Sequence, residues 1–321
     1  MIAQPPIQFD RTSGVLQGAN AWERAAGLAL VAGSKVSSLF AHRGYNSCAN
    51  LLRKILPERD IAVRLNADAT FAFPYGDGYW SKLLNRSFTY EEELELLFRA
   101  SADVDYTLLD CGANYGYWSV LVTSKPFGSR KAIAIEPSSR NFARLAHNAV
   151  INGDRFEVVK SAIGATRGIA RLSGTKHEAF SIAGAAGAGG ESVPVLSLDD
   201  LLDDGRISPN GKHLIKLDVE GVEIEAIKGG TRVLQGDAVI LCEEHGNDRN
   251  HTVSRYILEQ TPLTLIVHDP ASGRFETLTE LSILDRIKVA SHVGYNVFGT
   301  SSAFWQDRFH RMNATASQRV H

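Results

Sequence analysis

The segment Leu108-Leu109-Asp110-Cys111-Gly112-Ala113-Asn114-Tyr115-Gly116-Tyr117-Trp118-Ser119 restricts this chain more than any other. An apolar run ends in an acid, then in a turn holding two glycines, then in residues that suit a helix. That order is how an open α/β sheet brings its backbone against a small ligand at the carboxyl ends of the strands. Gly112 and Gly116 permit the close approach, and the helix that follows begins with free N–H groups. A dinucleotide pyrophosphate calls for three glycines spaced G-x-G-x-x-G, which this turn lacks. The spacing D-x-G-A-N-x-G instead suits a cofactor without phosphates that carries an amino-acid end.

From Tyr106 onward, short apolar runs alternate with helical stretches, the pattern of a layered α/β sheet. Seven strands are predicted: Tyr106–Asp110, Ala132–Glu136, Phe156–Ser161, His213–Asp218, Ala238–Glu243, Leu263–Val267 and Tyr295–Gly299. A helix over Ser139–Asn152 ends at Asn152-Gly153, a C-cap signal. Between the third and fourth strands, Gly168–Ser173 and Ser192–Leu196 read as a pair of extended segments. The Ala/Gly-rich stretch Ala183–Gly190 between them is a linker or a mobile loop beside the site.

Residues 1–85 read as an N-terminal accessory region, with helices over Ala21–Phe40 and Asn50–Leu56 and a strand and turn over Phe71–Trp80. An amphipathic helix over Phe88–Ala100 opens the main domain, 86–311, and 312–321 read as a flexible tail. The expected class is α/β, a Rossmann-like seven-stranded sheet flanked by helices.

Composition excludes several alternatives. A net charge of -2 gives no global basic field, so no nucleic-acid partner is expected. Cys48, Cys111 and Cys242 lie far apart and form no CxxC pair, which argues against a disulfide framework or a zinc site. The polar stretch Met1–Gly14 lacks signal-peptide order, and Ala25–Ala32 falls short of the roughly 20 residues a bilayer requires. A cytoplasmic protein with no membrane span is the expectation.

Further acids are delivered to the strand ends. Glu136 ends the second strand 26 residues after Asp110. A carboxylate there can accept hydrogen bonds from both hydroxyls of a ribose. The run Leu214-Ile215-Lys216-Leu217-Asp218-Val219-Glu220-Gly221-Val222-Glu223 brings Asp218 and Glu220 to the same edge, with Glu223 suited to a helix first turn. The fifth strand ends in Cys242-Glu243-Glu244-His245-Gly246, adding acids and an imidazole.

Taken together, DCGANYGYWS (110–119), AIEPSSRNFARLAHNAVIN (134–152), LSLDDLL (196–202), IKLDVEGVEIEAIKGG (215–230) and VILCEEHG (239–246) resemble the FkbM family of methyltransferases. That family is a branch of the Rossmann-like, S-adenosylmethionine-dependent enzymes. The resemblance covers roughly residues 88–246, and residues 1–85 match its general pattern poorly.

The resemblance implies S-adenosyl-L-methionine as cofactor, held in the Asp110–Ser119 turn. Gly112, Ala113, Asn114 and Gly116 would line its methionine end, with Asp110 and Ser119 in the same turn. Glu136 would bind the ribose, and Ser161 and Ala162 would flank the adenine. Asp218 would face the methionine or reaction side, Glu220 would join the cofactor-binding residues, and Glu91 or Glu92 would cover the cofactor. The acceptor implied is a hydroxyl on a glycan or secondary metabolite.

His245 is the expected general base and Asp218 the second catalytic group, with Glu220 or Glu243 able to orient the imidazole or replace it. Asp218, Glu243 and His245 have donor types that suit a divalent metal, although the expectation is a site without one. Tyr75, Tyr79, Trp80 and Trp118 are candidate stacking surfaces for a sugar ring. Two rival readings are a nucleotide-dependent oxidoreductase, disfavoured by the missing third glycine, and a non-catalytic Rossmann-like binding module.

Overall fold

The computed structural model describes residues 4–173, 181–183, 190–288 and 290–318. Most of the Ala/Gly-rich stretch read as a linker, residues 184–189, lies outside them. The chain divides into two compact units, residues 1–90 with 146–154, and residues 91–145 with 155–321.

The first unit holds a four-stranded sheet of β1 (Ile7–Asp10), β2 (Leu16–Gln17), β3 (Asp60–Asn66) and β4 (Ala69–Pro74), in the order β2-β1-β3-β4. Its helix Ala21–Ser38 starts at a capping box in which Asn20 and Glu23 satisfy each other's backbone N–H groups. Glu23 is fully buried, and Arg59 lies 3.1 Å from both of its carboxylate oxygens. A second helix spans Tyr45–Arg53.

The backbone of edge strand β4 is satisfied by side chains. Asn148 accepts from the Ala72 N–H (2.8 Å) and donates to the Ala72 carbonyl (3.0 Å). Asn152 does the same for Thr70. Two asparagines four residues apart thus act as a pseudo-strand that closes an otherwise open edge.

The second unit is built on an eight-stranded sheet. Its strands are β5 (Tyr106–Cys111), β6 (Lys131–Ile135), β7 (Glu157–Val159), β12 (Lys212–Leu217), β13 (Asp237–Glu244), β14 (Thr264–Asp269), β15 (Arg274–Thr277) and β16 (Tyr295–Thr300). The order is β15-β14-β16-β13-β12-β5-β6-β7. The five strands from β13 to β7 are parallel, and β16 enters antiparallel between β13 and β14. This is a Rossmann-like α/β sheet flanked by helices. The central strands read as unbroken apolar runs because both faces are covered; Leu108, Leu214, Ile215, Val239, Ile240 and Leu241 are fully buried.

The seven expected strands are present, and β15 is an eighth. Its four residues, Arg-Phe-Glu-Thr, bury only Phe275 fully, so a short half-exposed edge strand left no strong apolar signal. The extended pair between the third and fourth strands is also present. Strand β9 (Gly168–Ser173) runs antiparallel to β11 (Glu191–Leu196) in a small sheet with β8 (Ala162–Ile163) and β10 (Ser181–Ala183).

The segment expected as a flexible tail is helical as far as described. The helix Ala303–Gln318 continues through Met312, where Met, Ala and Gln have good helix propensity, and 319–321 lie outside the described residues. Among the described residues no helix is long and apolar enough to cross a membrane.

Candidate functional site

The site candidates share one level of the large sheet. Cys111 of β5 is in register with Ile135 of β6 and Leu217 of β12, and Leu217 with Cys242 of β13. The next residues along, Gly112, Glu136, Asp218 and Glu243, therefore form a row at the carboxyl edge. The chain leaves β5 for β6 and β7 on one side and returns to β12 on the other, so this row crosses the topological switch point.

Gly112 lets the β5 and β12 ends touch. Its φ is +78°, and a Cβ there would lie 1.8 Å from the Asp218 carbonyl oxygen. Its N–H and that of Ala113 both donate to the Ile135 carbonyl, at 2.9 and 3.0 Å, while the Asp218 N–H donates to the Cys111 carbonyl at 3.1 Å. Gly116, at φ +85°, has a second reason to be glycine, since a Cβ would meet Leu145 Cδ1 at 2.5 Å. The helix Tyr117–Val122 begins directly after it.

Each acid of the turn has a defined partner. Asp110 Oδ2 accepts from the Ser119 hydroxyl (2.7 Å) and the Ser119 N–H (3.2 Å), which ties the strand to the helix. Burial pushes the Asp110 carboxyl up, opposed by the Lys216 charge and the Ser119 bonds. Glu136 accepts from the N–H of Asn114 and from that of Ser138, both at 2.9 Å. Asn114 itself has φ +52°, so Glu136 holds the turn in its left-handed conformation. Burial pushes Glu136 up to about 8 despite its backbone partners.

That shift has a sign that can be measured. The folded protein keeps the Glu136 proton at pH values where an unfolded chain, titrating at its ordinary 4.5, has released it. Stability attributable to this group therefore falls as pH rises from 4.5 towards 8. Glu136→Gln, which cannot ionise, is expected to flatten the decline of the thermal midpoint across that window. An unchanged slope would show that Glu136 titrates normally.

A second constellation lies around Lys216, which projects from β12 and is almost wholly buried. Its ammonium donates to Asp218 Oδ2 at 2.8 Å and lies 3.8 Å from Glu91 Oε1. Glu91 accepts from the Trp118 indole N–H at 2.5 Å and from the Asn296 amide at 3.3 Å. Glu91, Asp218 and Glu243 each offer an oxygen, all within 4.8 Å of one another. Such oxygens suit a hard divalent cation in type, but the Lys216 ammonium already supplies positive charge among them. Burial, with the Asp218 and Glu91 charges, pushes Glu243 well above the usual carboxylate range. Burial likewise raises Glu91, with Lys216 opposing. Four neighbouring carboxylates hold Lys216 protonated in spite of its burial.

The structure thus brings together Asp110, Gly112, Ala113, Asn114, Glu136 and Ser119 around the turn, and Glu91, Asp218 and Glu243 around Lys216. His245 is exposed in the turn after β13 and is not a member of the Glu91–Asp218–Glu243 group. Glu220 is half-buried with φ +56°, ahead of Gly221. Ser161 and Ala162 are buried at the small sheet, where the Ser161 hydroxyl donates to the Ala162 and Pro194 carbonyls (2.9 and 3.0 Å). Of the aromatics read as stacking surfaces, Tyr75, Trp80 and Trp118 are buried packing residues. Tyr79 is half-buried, with its hydroxyl bonded to that of Tyr90 at 2.8 Å.

Lys216 and Asn296 were not singled out as functional in the sequence. A lysine inside the apolar run of a central strand was the available signal, because a buried ammonium requires carboxylate partners.

Residues 110–261 match the family model described as Methyltransferase FkbM domain. The hexuronic acid methyltransferase AglP of Haloferax volcanii is 25% identical over 175 residues, 54% of this chain and 70% of that protein. The solved Methyltransferase FkbM from Methylobacillus flagellatus KT is 17% identical with a TM-score of 0.38, over 61% of this chain and 43% of that one. The chain thus spans less than half the length of that structure. A precorrin-6y C5,15-methyltransferase from Geobacter metallireducens GS-15 is 14% identical with a TM-score of 0.35, over 67% of this chain and 92% of that one. The glycine turn, Glu136, the Lys216–Asp218 pair and Glu243 all fall inside residues 110–261, the stretch that matches the FkbM methyltransferase domain.

Proposed function

We propose that the chain transfers a methyl group from S-adenosylmethionine to a hydroxyl of a glycan or a related metabolite. The observation that carries this reading is the row Gly112, Glu136, Asp218 and Glu243 at the switch point. It combines a glycine turn, in which Gly112 lets the ends of β5 and β12 meet, with a carboxylate-rich edge. A cationic sulfonium suits such an edge, and the absence of a phosphate-binding glycine triplet suits a cofactor without phosphates.

The cofactor brings a methyl group already activated as an electrophile, which leaves this chain to align it and to handle a proton. Gly112, Ala113, Asn114 and Gly116 would receive the methionine end, with Asp110 and Ser119 fixing the turn that carries them. Glu136 would accept from the ribose hydroxyls, and Ser161 and Ala162 would border the adenine. Glu91 and Glu220 would close over the donor.

As an acceptor oxygen took the methyl group from the sulfonium, leaving the neutral thioether, its hydroxyl proton would pass to a base held by this chain. Asp218, bound to Lys216 and next to Glu243, stands where a carboxylate can take that proton. His245 is the alternative base. The relative that acts on hexuronic acid makes uronic-acid-bearing glycans the first acceptors to test.

Methyl-labelled S-adenosylmethionine offered with uronate oligosaccharides should yield labelled product and S-adenosylhomocysteine. Asp218→Asn should lower kcat by about 100-fold, the scale of a lost general base. Activity retained by His245→Ala across the pH range would remove the imidazole from the mechanism. Binding of NADH but not of S-adenosylmethionine would overturn the reading.

A further inference from the structure

The first unit presents a surface that the methyl-transfer reading leaves unused. Along the helix Ala21–Ser38, Trp22, Ala29 and Val36 recur every seven residues with Ala25 and Ala32 between them, and all five are exposed. That spacing makes one continuous apolar stripe. The chain just beyond adds Leu39, 79% exposed, and Phe40, 67% exposed; Trp22 is 51% exposed. On the neighbouring helical segment, Leu51 and Ile55 are also exposed.

The charge around this stripe has one sign. Residues 21–56 contain five Lys and Arg residues and a single acid, Glu23, which is buried against Arg59. Arg53 approaches Asp77 at 3.9 Å. Arg24, Lys35, Arg43 and Lys54 have no carboxylate partner among the described residues. Arg24 and Lys35 flank the stripe and, with Arg86, line a cavity of about 840 Å³ whose apolar wall includes Leu16, Leu28 and Val31.

We propose that residues 21–55 seat this protein on the surface of an anionic phospholipid bilayer. Trp22, Leu39 and Phe40 enter the headgroup–acyl boundary, and the unpaired cations meet the lipid phosphates. An apolar helical stripe bordered by Lys and Arg and bearing a tryptophan is the composition of an interfacial helix. The charge complementarity selects a negatively charged surface, since a neutral one leaves the cations without counter-charges. No span is required, in keeping with the helices described. The inference is independent of the donor and acceptor proposed above.

The test is flotation of the full chain with vesicles of phosphatidylcholine alone or mixed with phosphatidylglycerol. Binding to the mixed vesicles alone, lost on raising the salt, is expected. Trp80, Trp118 and Trp305 are buried, so acrylamide quenching reports on Trp22 and should fall when mixed vesicles are added. Lys35→Glu with Arg43→Glu should weaken vesicle binding at least about tenfold. Leu39→Ser with Phe40→Ser should abolish retention while the thermal midpoint holds, because these side chains are exposed. Failure to bind mixed vesicles at low salt would overturn the proposal. So would a lipid-independent dimer that shields Trp22, since a seven-residue repeat also suits pairing with a second copy.

Discussion

Gly112→Ala is expected to abolish S-adenosylmethionine binding and to cost about 2–5 kcal/mol of folding stability. Two penalties combine at this position. A positive φ costs an L-residue roughly 1–2 kcal/mol. The added methyl would also lie 1.8 Å from the Asp218 carbonyl oxygen, a backbone atom that cannot rotate aside. Forced overpacking of that kind adds about 1–3 kcal/mol and shifts the backbone. Here the shift would separate the ends of β5 and β12, the two strands that frame the glycine turn. Gly205→Ala is the control, having φ +67° and nothing within 4 Å of the new methyl. It should lose only the conformational part. Equal losses in the two variants, measured by denaturant unfolding, would show that the close approach at Gly112 carries no weight.

Lys216→Met is expected to destabilise the protein by about 3–5 kcal/mol at neutral pH, the usual cost of removing one partner from a buried charge cluster. Asp218 would lose its 2.8 Å ion pair, and Glu91, Asp110 and Glu243 would lose the cation they share. The carboxyl groups would then be driven further towards their neutral forms. The loss should accordingly shrink as pH falls and the carboxyl groups protonate, and grow as pH rises. Unfolding curves of the variant at acidic and alkaline pH test this directly. A pH-independent loss would mean that Lys216 contributes packing and not charge.

The parts of the fold legible in the sequence are those where several physical demands coincide. Strands β5, β12 and β13 are covered on both faces, so they read as apolar runs, and the glycines and acids at their ends mark the switch point. Strand β1 went unread because Ile7–Asp10 alternates buried and exposed residues over only four positions. The Asn148 and Asn152 contacts to β4 were hidden for another reason: they join residues 76 and 82 positions apart, and no local pattern encodes such a pairing.

The site divides in the same way. Spacing marks Gly112, Glu136 and Asp218 as candidates, and the sheet register sets them in one row. Lys216 was overlooked because its meaning depends on Glu91, far away in the chain and brought near only by the fold. His245 drew notice as an imidazole after a central strand. The chain turns immediately after Glu244, which leaves that ring exposed, while Glu243 stays with Asp218 and Glu91.

The central claim is that the carboxyl edge around Gly112 and Glu136 takes S-adenosylmethionine. Calorimetric titration with S-adenosylmethionine, S-adenosylhomocysteine and NADH tests it most directly, in the native chain and in Glu136→Ala. The account predicts stoichiometric binding of the first two ligands, no binding of NADH, and at least about tenfold weaker affinity in the variant, for the loss of the hydrogen bonds between Glu136 and the ribose. NADH binding with no response to either adenosyl ligand, or an affinity for them unchanged by Glu136→Ala, would contradict it.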